Sequence, residues 1–274
     1  MADAGMEAHE GKGNKMKALV LAGGGAKGAY QAGVIEQLIR ERFDLVCGCS
    51  AGSLNAVGYA HLGTNGLIDM WKNIKGRGDI FSYSWGNKGL FSTSPLRKLI
   101  QKTISKATMC DVWVNRVCLE SGDIYYSKPG DADYEDSIVA SCSIPGAVVP
   151  VKIDGLTFVD GGVRENCPLR RAVDSGADEI TVILCNPLSE KHWSDVGGFF
   201  PVANYIIRSL DIAFHELMVN DLEAVKRKNN DPNKRKIKVR LYAPDKEPMD
   251  TLDFSPEKIR QAILLGNIAK PQYI

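Results

Sequence analysis

The chain has 274 residues, 44% hydrophobic and 24% charged, with a formal net charge of +1. That length supports a sizeable buried core, and the near-neutral balance gives no electrostatic reason to expect a nucleic-acid partner. Seven scattered cysteines form neither a disulfide framework nor a metal-binding spacing, and no apolar run approaches the roughly 18 residues that a bilayer span needs. The expected setting is therefore cytoplasmic or peripheral to a membrane. The polar opening, residues 1–15, reads as a disordered tail, and residues 16–274 as one domain.

KALVLAG, residues 17–23, reads as a buried strand, and AYQAGVIEQLIRER, residues 29–42, as a helix with Tyr30, Val34, Ile35, Leu38 and Ile39 on one side. FDLVCG is a second strand. It runs straight into CSAGSLNAVGYAHLG, where small and apolar residues keep helical spacing up to Gly63. Strand, glycine loop, helix, strand, sharp turn, helix implies an α/β fold with parallel strands joined by right-handed crossovers. Residues 64–105 read as mostly helical, broken over 76–94, with Ser94-Pro95 opening a helix. A short β region follows in DVWVNRVCLE and IYYSK, then a helix in EDSIVASCSI. AVVPVKI and LTFVDGG form a hairpin across Asp154-Gly155. Beyond it come a helix in LRRAVDSGA, a buried strand in EITVILCN, an amphipathic helix over 199–228, a strand in KIKVRLYAP and a final helix over 256–268.

Gly48-Cys49-Ser50-Ala51-Gly52 fits G-x-S-x-G between a strand and a helix, the context in which a tight turn presents a serine nucleophile. Gly48, Ala51 and Gly52 supply the small flanks, and the helix N-terminus favours negative charge at Ser50. A serine needs a base. His9 lies in the tail and His61 in the helix after the turn, which leaves His192 and His215 for a Ser-His-Asp esterase, neither of them at a strand end. Asp160 offers a second answer, because LTFVD carries its carboxylate to the end of an apolar strand and Gly161-Gly162 keep the neighbourhood open. An aspartate screened from water can take a serine proton directly if its pKa lies near the working pH.

Taken in order, GGGAKG at 23–28, GCSAG at 48–52, ASCSIPGAVVPV at 140–151 and DGG at 160–162 resemble the motifs of the patatin-like phospholipases. The resemblance runs from about residue 17 to 185. It implies a three-layer α/β/α fold with a mainly parallel sheet, and lipid acyl hydrolysis through an acyl-serine by a Ser50–Asp160 dyad. Gly23, Gly24, Gly25, Ala26, Lys27 and Gly28 would form the oxyanion hole. The substrate would be a phospholipid or other acyl lipid met by peripheral membrane contact, with no cofactor and no metal. Lys27 stands where the family usually has arginine, a neutral exchange if backbone N–H groups do the donating.

Two other expectations stand beside this one. Gly23, Gly25 and Gly28 also fit the dinucleotide fingerprint G-x-G-x-x-G, which calls for an acid at the end of the second strand; that strand has Asp44 at its start instead. Trp193, Phe199, Phe200, Ile206 and Ile207 suggest either a core-packing helix or a lid that dips into a lipid interface.

Overall fold

Short runs of β-branched and aliphatic residues build the sheet. The computed structural model describes residues 15–84, 89–105, 107–188 and 201–274. Its strands are β1 (Lys17–Leu21), β2 (Leu45–Gly48), β3 (Ser82–Tyr83), β4 (Phe91–Ser92), β5 (Asp111–Cys118), β6 (Ile124–Ser127), β7 (Val151–Ile153), β8 (Leu156–Asp160), β9 (Glu179–Ile183), β10 (Lys238–Tyr242) and β11 (Gln272–Tyr273). Its helices are α1 (Gly28–Gln37), α2 (Ala51–Asn73), α3 (Ser94–Thr103), α4 (Tyr134–Ser141), α5 (Gly162–Glu165), α6 (Leu169–Asp174), α7 (Pro201–Asn230) and α8 (Pro256–Asn267).

Nine of these strands form one sheet in the order β11-β10-β9-β1-β2-β5-β8-β7, with β6 also on β5. The sheet is mixed: β10, β9, β1, β2 and β5 run parallel, while β11, β6, β8 and β7 pair antiparallel at its flanks. Successive side chains of a strand point to opposite faces. Leu19 and Leu21 of β1 therefore pack on the face covered by α1, α2, α3, α4 and α8. Ala18 and Val20 pack on the other, against α6 and α7. Helices on both faces of the sheet make the three layers α/β/α.

This topology brings three distant segments together. β1 pairs with β2 through Leu21 opposite Gly48, so the glycine loop and the serine turn leave the sheet side by side. At the carboxyl ends of parallel strands, such neighbouring loops frame a crevice. β5 pairs Val114 with Gly48 and then overshoots to Cys118. The antiparallel β8 returns along that overshoot, setting Asp160 opposite Arg116 and next to the same crevice.

Some boundaries differ from the sequence expectation. α1 stops at Gln37 rather than residue 42, and Ile39 is exposed. Residues beyond the helix turn so that Phe43 enters the core and Glu41 meets Arg240 in a two-point pair at 2.8 and 2.6 Å. α2 does not end at Gly63; it kinks there, at φ 74°, and continues to Asn73. Leu67, Ile68, Met70 and Trp71 are buried in that second half, and their packing holds the helix beyond the kink. No helix among the described residues is long and apolar enough to cross a membrane.

Candidate active site

Between the end of β2 at Gly48 and the start of α2 at Ala51 only two residues make the turn. Ser50 takes φ 54° and ψ −126°, a conformation that L-residues hold only when their surroundings impose it. The space is correspondingly tight. A side chain on Gly52 would start 2.1 Å from the Leu21 carbonyl oxygen, and one on Gly48 would start 2.2 Å from the Gly52 carbonyl oxygen. The end of α4 holds the strained backbone: Ser50 N–H donates to Ser141 Oγ at 2.8 Å, and Cys142 Sγ donates to the Ser50 carbonyl at 3.3 Å. Ser53 Oγ donates to the same carbonyl at 2.6 Å. ASCSIPG thus clamps the turn, a role its own residues do not announce.

Asp160 is buried at the end of β8. Burial pushes its carboxyl up to about 6, while the Ser50 hydroxyl, the Gly162 N–H and the Cys49 thiol favour the ionised form. Gly162 N–H donates to Asp160 Oδ1 at 2.8 Å, and the Cys49 thiol approaches the same oxygen at 3.6 Å. Cys49 itself is no nucleophile, since burial and the adjacent Asp160 hold its thiol well above the ordinary value. Asp160 Oδ2 has no hydrogen-bond partner among the described residues. Gly161 packs on Asn115, where a side chain would meet Asn115 Oδ1 at 2.1 Å.

Most amides of the glycine loop are already committed. Gly23 N–H donates to the Asn166 carbonyl at 3.0 Å, Ala26 N–H to the Thr251 carbonyl at 2.8 Å and Lys27 N–H to the Gly24 carbonyl at 3.2 Å. Gly28 N–H closes the 3₁₀ turn Gly25–Lys27 onto Gly25 and Ala26. Gly24 and Gly25 keep amides that no backbone carbonyl takes among the described residues. Gly25 is at φ 58° and a side chain there would start 2.3 Å from the Thr251 carbonyl, so only glycine fits. Behind the loop, buried Asn55 donates to the Gly28 carbonyl and to Gln31 Oε1, both at 2.9 Å, and accepts from Trp71 Nε1 at 2.6 Å.

Lys27 is not among the residues lining the crevice. It is fully buried, donating to Asn186 Oδ1 at 2.6 Å and pairing with Glu247 at 3.0 Å. Its charge ties the loop to the segment after β10.

Ser50 lies at the meeting of two pockets. One is apolar, walled by Ala51, Leu54, Trp71, Leu96, Leu252 and Phe254. The other is the more polar of the two and contains Gly24, Asp160, Asn166, Asn186 and Thr251, with Leu210, Asp211 and Phe214 of α7 along one side. His215 lines neither pocket, and His61 bonds Ser105 at 3.2 Å. His192, Trp193, Phe199 and Phe200 lie outside the described residues, as does His9. Ile206 is exposed and touches the Gly146 turn. Asp44, the only acid of FDLVCG, accepts the Lys17 N–H at 2.8 Å at the amino end of β2, away from the glycine loop. Sequence reasoning missed Asn166, Ser141 and the α7 residues. Asn166 follows the DGG motif by four positions, and that short spacing is the one signal pointing to it.

Among the described residues there is no group of three or more His, Cys, Asp or Glu side chains placed to hold a metal ion.

Comparison with known proteins bears on this arrangement. The patatin-like phospholipase family model matches residues 19–173. The uncharacterized protein YjjU of Escherichia coli is 29% identical over 191 residues, covering 62% of this chain and 52% of that protein. Lysophospholipase nte1 of Aspergillus niger is 28% identical over 216 residues, covering 68% of this chain and 13% of that protein. Lysophospholipase NTE1 of Candida albicans is 24% identical over 269 residues, covering 88% of this chain and 19% of that protein. The chain thus spans about half the length of the bacterial relative and less than a fifth of the fungal ones. Among solved structures, VipD from Legionella pneumophila aligns with a TM-score of 0.43 at 12% identity, over 95% of this chain and 68% of that one.

Proposed function

The chain belongs to the patatin-like phospholipase family, and on that premise we propose that it hydrolyses fatty-acyl esters of lipids with Ser50 as nucleophile and Asp160 as base. The observation that carries this reading is the pairing of a strained, buried serine with a buried carboxylate whose pKa is raised to about 6, with no histidine among the described residues lining either pocket.

In this scheme Asp160 Oδ2 takes the Ser50 proton as Oγ attacks the ester carbonyl carbon. Charge develops on the carbonyl oxygen, where the amides of Gly24 and Gly25 receive it. Each such donor contributes about 2.7 to 4 kcal/mol to lowering the barrier. The other four loop positions, Gly23, Ala26, Lys27 and Gly28, shape the loop rather than donate. The acyl chain lies in the apolar pocket and the alcohol departs through the polar one, assisted by the proton on Asp160. Water then cleaves the acyl-Ser50 ester. The names of the fungal relatives, lysophospholipases, support a lipid as the ester, reached by peripheral contact with a membrane.

Ser50→Ala and Asp160→Asn test the dyad on p-nitrophenyl butyrate and on a fluorogenic phospholipid. Each is expected to lower kcat/KM by at least about 1,000-fold with circular dichroism unchanged. Turnover within tenfold of wild type in either variant refutes the dyad.

A further inference from the structure

Two buried acceptors at the crevice lack a donor among the described residues: Asp160 Oδ2 and Asn166 Oδ1. Asn166 is 3% exposed and Asp160 1%, and both line the polar pocket with Ser50. They are close neighbours. A side chain started on Gly162 would lie 3.0 Å from Asn166 Oδ1 and 3.1 Å from Asp160 Oδ1. One started on Gly23 would lie 2.4 Å from Asn166 Oδ1 and 3.0 Å from Ser50 Cβ. Asn166 Oδ1 therefore shares the surroundings of Gly162 with the Asp160 carboxylate and those of Gly23 with Ser50 Cβ. The amides of the two flanking glycines are already used, since Gly23 N–H serves the Asn166 carbonyl at 3.0 Å and Gly162 N–H serves Asp160 Oδ1 at 2.8 Å.

Two unpartnered acceptors on side chains that line one small pocket can be satisfied together by an atom that carries two protons. Water is such a group, whereas an ester oxygen has none and an alcohol has one. We propose that Asn166 is a catalytic residue of the second half-reaction, its Oδ1 holding the hydrolytic water whose other hydrogen points at Asp160. This rests on the acyl-Ser50 reading given above. The water oxygen forms its bond to the acyl carbon as Asp160 takes one proton. Asn166 keeps the second hydrogen in a hydrogen bond and takes no proton. The tetrahedral species then breaks its bond to Ser50 Oγ, which recovers the proton from Asp160, and the fatty acid leaves. In the first half-reaction the nucleophile is Ser50 Oγ and the proton that moves to Asp160 is its own, so Asn166 has no part in it.

Asn166→Ala and Asn166→Asp separate this role from a structural one, because the bond to Gly23 uses the Asn166 main chain and survives both substitutions. The probe is p-nitrophenyl butyrate, which has no headgroup amine to occupy the two acceptors. Stopped-flow release of p-nitrophenolate by Asn166→Ala should show a full burst at the wild-type rate, followed by a kcat lower by up to about 100-fold. KM should fall in parallel. Acid-quenched samples should carry a butyryl adduct on Ser50, and hydroxylamine, a stronger nucleophile than water, should restore turnover. Asn166→Asp keeps the acceptor and should deacylate faster than the alanine variant, with its pH profile displaced upward by the second carboxyl group.

An equal loss in burst rate and kcat for the alanine variant would overturn the proposal in favour of an oxyanion or loop-supporting role. Unchanged kcat would overturn it too. If neither wild type nor variant forms a Ser50 adduct, and a fluorophosphonate fails to label Ser50, the acyl-serine reading falls and this inference with it.

Discussion

Asp160 carries its cost in stability as well as its reactivity. A carboxyl raised from the ordinary 3.8 to about 6 binds its proton more tightly in the folded chain than in the unfolded one. Folding stability therefore declines as pH rises through that window and stays lower above it. The difference corresponds to about 3 kcal/mol at most. Asp160→Asn removes this penalty, so urea denaturation should find the variant more stable than wild type at pH 8, by up to about 3 kcal/mol, and equal to it below pH 4. Glu165 and Asp221, pushed up to about 7 and about 6 by burial, titrate in the same range. They are present in both proteins and cancel in the comparison. If Asp160 is the base, kcat/KM of the wild type should fall as pH drops through about 6, because a base must be unprotonated to accept the Ser50 proton. A kcat/KM that is flat from pH 5 to 8 would remove Asp160 from that role. Both residues were legible in the sequence, one in a turn with small flanks and the other ending an apolar strand. Asn166 was not, because a buried acceptor without a donor is a property of its neighbours.

Among the elements, α4 has the least obvious function. Its last turn places Ser141 Oγ on the Ser50 N–H and the following Cys142 Sγ on the Ser50 carbonyl. The conformation of Ser50 is thus maintained by a helix about ninety residues downstream. Ser141→Ala leaves a buried N–H unpaired, which should destabilise the protein by about 1 to 3 kcal/mol and lower kcat more than it raises KM. Denaturant midpoints and steady-state kinetics on one preparation check both effects. A loss of stability with kcat untouched would show that the clamp matters to folding alone. Strands and helices were readable wherever apolar period persisted, as in β1, β9 and α8. The end of α1 was not, since Arg240 lies far away in the chain, and the helix read beyond Gly63 is joined to α2 across a kink. β3, β4 and β11, at two residues each, are too short to carry any pattern.

At the scale of the whole molecule, the C-terminal part completes the crevice that the N-terminal motifs begin. Thr251 takes the Ala26 amide, Glu247 pairs with Lys27, and Leu252 and Phe254 wall the apolar pocket at Ser50. If that pocket holds the acyl chain, Leu252→Ala should lower kcat/KM for p-nitrophenyl octanoate by about tenfold while sparing the acetate, since each buried methylene is worth about 10-fold or more in discrimination. Equal effects on both esters would place the chain elsewhere.

The sequence by itself determined the strand, loop and helix units, the serine turn, the glycine loop and the strand-ending aspartate. Each of these is dictated by sterics and period within a few consecutive residues. Tertiary structure alone decided that no backbone carbonyl among the described residues takes the Gly24 and Gly25 amides, that Lys27 pairs with Glu247, that burial pushes Asp160 up to about 6 and that Asn166 lines one pocket with Ser50 and Asp160. Burial and competition for hydrogen-bond partners exist only once distant segments have packed against one another, so no local stretch of residues contains them.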